Sequence, residues 1–142
     1  MFETIVWATD GSENADRALD YARKLAQAEG ARLIVVHVVE RYASSKPSAL
    51  AVHADEEIVE AKLTKLTAEL SGEGLSVDLR IVSHVGPQPA HEIADIAREA
   101  GADLIVMGCR GHVAVAGLLL GSVTQRLLHV SPCPVLAVPS GG

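Results

Sequence analysis

The 142-residue chain has few aromatic residues: they make up 3% of it, as Phe2, Trp7, Tyr21 and Tyr42. Its core must therefore come from Val, Ile, Leu and Ala, within an apolar fraction of 49%. Cysteine is scarce too. Cys109 and Cys133 do not form a CxxC arrangement. Met1 to Asp10 lacks both a basic region and a long apolar run, so the expectation is two free thiols in a reducing cytoplasm. No stretch reaches the roughly 20 apolar residues of a membrane-spanning helix. Basic charge is in deficit, with 12 Lys and Arg against 18 Asp and Glu and a net charge of −6. Broad nucleic-acid or anionic-membrane surfaces need a basic field, and this chain does not supply one. A single nucleotide, held by a few local donors, is not excluded.

Several catalytic motifs are also missing. There is no G-x4-G-K-[ST], and no lysine between Gly108 and Thr124. A P-loop enzyme uses that lysine on the β- and γ-phosphates, so fast hydrolysis is not expected. No G-x-G-x-x-G follows the first strand. His91-Glu92 lacks the second histidine of H-E-x-x-H, and no serine lies in G-x-S-x-G. The six histidines are scattered, without metal-ligand spacing.

What the chain does have is alternation. Thr4 to Ala8 reads as a strand, and Thr9-Asp10-Gly11-Ser12 as a turn with Ser12 as N-cap. Ala15, Ala18, Leu19, Ala22, Leu25 and Ala26 mark one face of a helix ended by Gly30. Arg32 to Val39 is a second strand. Ala43 to Pro47 reads as a loop. A helix is clear from about Asp55, through Val59, Leu63, Leu66 and Leu70. Asp55-Glu56-Glu57 reads as its acidic first turn, favourable to the helix dipole. A third strand lies within Leu75 to Ser83. Pro89 suits the first turn of a third helix, which carries Ile93, Ile96, Ala97 and Ala100. Leu104 to Met107 is a fourth strand, Ser122 to about His129 a fourth helix, and Pro134 to Val138 a fifth strand. This is the pattern of a single α/β domain over residues 1–142: an open, Rossmann-like parallel sheet with helices on both faces. Roughly 70% of the unfolded surface can be buried at this size, so no disulfide or metal is needed to hold it.

Ligands of such sheets bind at the carboxyl ends of the strands, where the strand order reverses. Two segments lie at the carboxyl ends of strands. Asp10 follows the first strand, and Gly108 to Thr124 follows the fourth. In the second segment, Gly108 and Gly111 can take positive φ or let a ligand lie on bare backbone. Gly121-Ser122 opens a helix, with Ser122 a good N-cap type. The unpaired N–H groups and dipole of that helix suit an anion such as phosphate. The same glycines could also simply make turns.

The spacing Gly108-x2-Gly111-x9-Gly121-Ser122, followed by Val123-Thr124, resembles the nucleotide-binding signature of the universal stress protein family. The resemblance runs over nearly the whole chain, from Ile5-Val6-Trp7-Ala8-Thr9-Asp10-Gly11-Ser12 through Val35-Val36-His37-Val38 to Cys133-Pro134-Val135-Leu136-Ala137-Val138. It implies strand order 3-2-1-4-5 and binding of ATP, or of AMP or ADP. It assigns contacts to Ala8, Thr9, Asp10, Val38, Met107, Gly108, Gly111, Gly121, Ser122, Val123 and Thr124. The backbone at Val38 would read the adenine edge. Asp10 would reach the ribose or, with phosphate, a magnesium ion; the plainer alternative is a turn aspartate bonding its own backbone. Arg110 is either a solvated loop charge or a cation for the phosphates. Cys109 stands where relatives commonly carry serine. His37, inside an apolar strand, reads as a satisfied core histidine. The apolar stretch Val115 to Leu120 must pack on something. The resemblance further implies a homodimer through the edge strand Pro134 to Val138, and at most slow hydrolysis or autophosphorylation. The expected role is regulatory, in stress tolerance. Two rivals stay open: a dimeric interaction module that binds no nucleotide, and an adenylating enzyme, for which no second substrate site is visible.

Overall fold

A computed structural model of the chain describes residues 1–41, 48–85, 89–109 and 121–139. The elements run β1 (Thr4–Ala8), α1 (Glu13–Glu29), β2 (Arg32–Arg41), α2 (Ser48–Gly72), β3 (Val77–Val85), α3 (Pro89–Ala100), β4 (Leu104–Gly108), α4 (Ser122–Val130) and β5 (Val135–Val138). The five strands form one parallel sheet in the order β3-β2-β1-β4-β5. The order reverses between β1 and β4, where Trp7 pairs with Val106.

Side chains alternate across the strands and sort into two apolar layers. Ile5, Trp7, Leu33, Val35, Leu104 and Val106 pack against α1 and α2. Val6, Ala8, Ile34, Val36, Ile105 and Met107 pack against α3 and α4. Both faces are covered, which is why the strands read as continuous apolar runs. Each fully buried Ile, Leu or Val contributes about 1.5–3 kcal/mol. The buried Trp7 indole satisfies its N–H on the Ala15 carbonyl at 2.9 Å, fixing α1 to the sheet. Asp103 ties the amino ends of β1 and β4 together: one carboxylate oxygen accepts from Glu3 N–H at 2.7 Å and Thr4 N–H at 2.9 Å.

The fold agrees with the α/β expectation, with four local corrections. β2 continues to Arg41, and α2 begins at Ser48 rather than near Asp55. Asp55, Glu56 and Glu57 therefore lie beyond the first turn, where the dipole no longer favours them. Gly108 closes β4 instead of opening a loop, and its φ is not positive. Its lack of a side chain matters for packing: a Cβ there would stand 3.0 Å from the backbone carbon and oxygen of Asn14 in α1. Finally, α4 is capped by Gly121, with Ser122 its first helical residue. The expected loop at Ala43 to Pro47 and the stretch Val115 to Leu120 lie outside the described residues.

Candidate functional site

At the carboxyl edge of the sheet, the turn after β1 is held by its own side chains. Thr9 Oγ1 accepts from Gly11 N–H at 3.0 Å, and Asp10 Oδ1 accepts from Ser12 N–H at 3.0 Å. Ser12 caps α1 as expected, its hydroxyl accepting from Ala15 N–H. The plain reading of Asp10 thus holds for one carboxylate oxygen. Gly11 has φ +85°, a conformation that disfavours a side chain, and a Cβ there would meet Val59 of α2 at 2.9 Å.

The turn is also held from below. Thr9 N–H donates to the Val36 carbonyl at 2.9 Å. The Thr9 carbonyl lies 2.9 Å from Nδ1 of His37, and Nε2 of His37 lies 2.7 Å from Glu56 of α2. His37 is buried, at 2% exposure, so the expected satisfied core histidine is present. Its partner was not legible, because Glu56 is 19 residues away and looks like an ordinary helix acid. Lys62 of α2 donates to the Gly11 carbonyl at 3.3 Å and to Asp16 at 2.7 Å.

Opposite this turn, the end of β4 is bound to the start of α4. Gly121 N–H donates to the Cys109 carbonyl at 2.6 Å, and the buried Thr124 hydroxyl donates to the Gly108 carbonyl at 3.1 Å. Cys109 N–H donates to the Val138 carbonyl at 2.9 Å. The N–H of Gly121 therefore has a partner inside the chain. The N–H groups of Ser122, Val123 and Thr124, in the first turn, have no carbonyl partner within α4.

Four of the expected contacts share one wall. Ala8, Val38, Met107 and Val123 belong to the apolar layer under α3 and α4. Ser122 is exposed beside them. Between the start of α3 and the length of α4 lies a cavity of about 450 Å³, lined by Pro89 and Ala90 and by Ser122, Val123, Gln125, Arg126 and His129. Arg126 went unnoticed in the sequence; it stands one turn beyond Ser122, so the two share a helix face. Arg110 and Gly111 lie outside the described residues. Among the described residues, no group of three or more His, Cys, Asp or Glu could hold a metal ion. No helix among them is long and apolar enough to cross a membrane.

Two thiols and a carboxylate complete the chemistry. Burial pushes the Cys133 thiol above its ordinary value, against a smaller opposing hydrogen bond from Ser131. The N–H groups of Thr4 and Glu3 hold Asp103 below its ordinary value, at the far edge of the sheet from this site. Both cysteines are free.

The same architecture recurs in known proteins. The Universal stress protein family model matches residues 1–139. A universal stress protein of Thermus aquaticus, encoded 3′ of a sulfhydrylase gene, is 40% identical over 97% of this chain and 99% of its own. The solved universal stress protein UspA of Lactobacillus plantarum superposes with a TM-score of 0.81, at 23% identity, over 96% of this chain and 97% of that one. A universal stress protein solved in complex with cAMP superposes with a TM-score of 0.68 at 31% identity, over 96% of this chain and 97% of that one. The sheet order, the continuous apolar strands and these likenesses agree: the chain belongs to the universal stress protein family.

Proposed function

We propose that the protein binds an adenine nucleotide at the carboxyl edge of the sheet, between β1 and β4. The observation that carries this reading is the convergence, at the point where strand order reverses, of the Thr9–Asp10–Gly11 turn, an apolar wall and the first turn of α4. The base lies against Ala8, Val38, Met107 and Val123, with the backbone at Val38 reading its edge. The phosphates approach Ser122 and the glycine segment from Gly108 through Gly111 to Gly121, where helix N–H groups and the dipole favour an anion. Ligands of open α/β sheets bind at such a place. The relative bound to cAMP supports an adenine ligand. ATP, ADP and AMP all fit this chemistry.

Magnesium commonly uses one or two carboxylates and completes its shell with phosphate oxygens and water. Asp10, one of whose oxygens accepts from Ser12 N–H, is assigned that role only when phosphate is bound. The chain's own residues supply binding and orientation. No lysine stands in the glycine segment to drive rapid transfer. Binding therefore acts as a regulatory signal in the cytoplasm, with slow hydrolysis or autophosphorylation as its upper limit. β5 is an edge strand, half-buried at Val135, Leu136 and Ala137, and we assign Pro134 to Val138 to a homodimer contact.

A second reading rests on a specific observation. Gly108, Gly121 and Thr124 each have structural partners within the chain, as a glycine loop kept for folding alone would require. In that case the protein is a dimeric interaction module without nucleotide. Mass spectrometry of small molecules released from the purified protein, followed by calorimetric titration of the emptied protein with ATP, AMP and cAMP, separates the two. Copurified nucleotide or saturable binding supports the first. No ligand and no heat would leave the second.

A further inference from the structure

The buried ring of His37 stands between two oxygens on different elements. The Thr9 carbonyl can only accept, so Nδ1 carries a hydrogen and donates it. Nε2 lies 2.7 Å from a Glu56 carboxylate oxygen, within hydrogen-bond distance. Thr9 sits in the turn that carries Asp10, and its side chain holds Gly11 N–H. Glu56 does not reach the turn directly.

Glu56 is the first of three α2 residues that engage this segment. Val59 packs on the bare backbone of Gly11, and Lys62 donates to the Gly11 carbonyl and to Asp16. Residues three apart share a helix face, so one face of α2 holds the whole turn. Leu63 and Leu70, both buried, fix that helix against the sheet. Within the face, Lys62 and Asp16 are partly exposed, at 41% and 39%, whereas His37 is 2% exposed and Glu56 24%. An exposed ion pair contributes little, while a buried hydrogen-bonded group left unpaired costs much more. Among the described residues, the Glu56–His37–Thr9 chain is therefore a stronger polar restraint of α2 on the turn than the Lys62 contacts.

We propose that Glu56, acting through His37, is a positioning residue for the Thr9–Asp10–Gly11 turn, so that α2 and nucleotide binding are coupled. The coupling rests on the adenine-nucleotide reading above; the restraint on the turn does not. Ordering of α2 and occupancy of the site then favour one another, since coupling between two sites is reciprocal.

The test uses the full chain with Glu56→Ala and Glu56→Gln. Without nucleotide, Glu56→Ala speeds amide hydrogen exchange at Gly11 and Ser12. With ATP, it weakens binding by about tenfold, equivalent to about 1.4 kcal/mol. Glu56→Gln restores both, because its amide can donate to Nε2 while Nδ1–H stays on Thr9. Unchanged exchange at Gly11 and Ser12 in folded Glu56→Ala overturns the restraint. Faster exchange with unchanged ATP affinity overturns the coupling. A wild-type chain that binds no ATP sinks the nucleotide reading, yet the exchange data still decide the restraint. Should Glu56→Ala not fold, nitrogen-15 spectra of the wild-type histidine rings decide it: a solvent-protected Nδ1–H signal at His37 is expected, and its absence overturns the chain of bonds.

Discussion

The Thr124 hydroxyl donates a hydrogen bond to the Gly108 carbonyl across 3.1 Å, inside the protein and away from solvent. This bond joins the last residue of β4 to the first turn of α4. Together with Gly121 N–H on the Cys109 carbonyl, it sets the angle at which the helix start meets the sheet edge. Replacing Thr124 by valine keeps the shape and removes the donor. Leaving a buried carbonyl unpaired costs about 1–3 kcal/mol, which urea unfolding will show as a lower midpoint at unchanged slope. Thr124→Ser should recover most of it. An unchanged midpoint in Thr124→Val would remove this bond from the account.

Gly108 is tested separately. An alanine Cβ at this position meets Asn14 backbone at 3.0 Å, in a sheet-to-helix contact with little room to give. Overpacking of this kind costs about 1–3 kcal/mol. The Gly108→Ala midpoint should fall, and the amides at the start of α1 should shift. A neutral substitution would show that α1 moves aside freely.

Gly121→Val addresses the ligand. Gly121 has φ −70° and ψ 161°, an extended conformation that valine adopts without strain. The fold should therefore survive, with a modest cost for the poorer cap residue. The branched side chain would stand where phosphate approaches, and ATP titration by calorimetry should lose its heat. Full affinity in a well-folded Gly121→Val protein would mean that the phosphates lie elsewhere.

Asp103 supplies a pH dependence. Its carboxyl is held below the ordinary value of 3.8, first by Thr4 N–H and then by Glu3 N–H. A depressed folded value means that the ionised group favours the folded state. Its contribution is complete well above 3.8 and is lost as pH falls through 3.8 to the lower folded value. Asp103→Asn should be less stable than wild type near neutral pH, and the difference in Tm should shrink as the solution is acidified below that range. A difference that stays constant on acidification would contradict the assignment.

Cys133 should be a sluggish nucleophile. Burial raises its thiol above the ordinary value, so less thiolate is present at a given pH, and the thiolate is the reactive form. Peptide mapping after brief iodoacetamide treatment near pH 8 should find Cys133 labelled more slowly in the native than in the unfolded chain. Equal rates would show that the site opens freely.

Much of this protein is written locally. Ser12 followed by alanines and leucines at helical spacing is enough for α1, and the cap bond to Ala15 is present. The apolar runs Ile34-Val35-Val36 and Leu104-Ile105-Val106 declare strands buried on both faces, because a parallel sheet with helices on either side leaves no polar position in them. The positions of Asp10 and of the Gly121-Ser122 helix start were legible for the same reason: caps and turns depend on neighbours in the chain. The alternation of these elements, and its likeness to a known family, led to the sheet order.

Partners distant in the chain were decided by the tertiary structure alone. Nothing near Glu56 announces His37, and the acidic run around it looks like a helix start until α2 is seen to begin at Ser48. Gly108 reads in the sequence as a ligand glycine, and only the packing shows that its missing Cβ also makes room for Asn14. Ser122 has the chemistry of an N-cap, but Gly121 takes that place because its N–H is held by the Cys109 carbonyl. In each case the local preference amounts to about 1 kcal/mol, and a buried long-range contact is worth as much or more. Local sequence therefore determined which elements form and where they turn, and packing between them decided which groups face each other at the sheet edge.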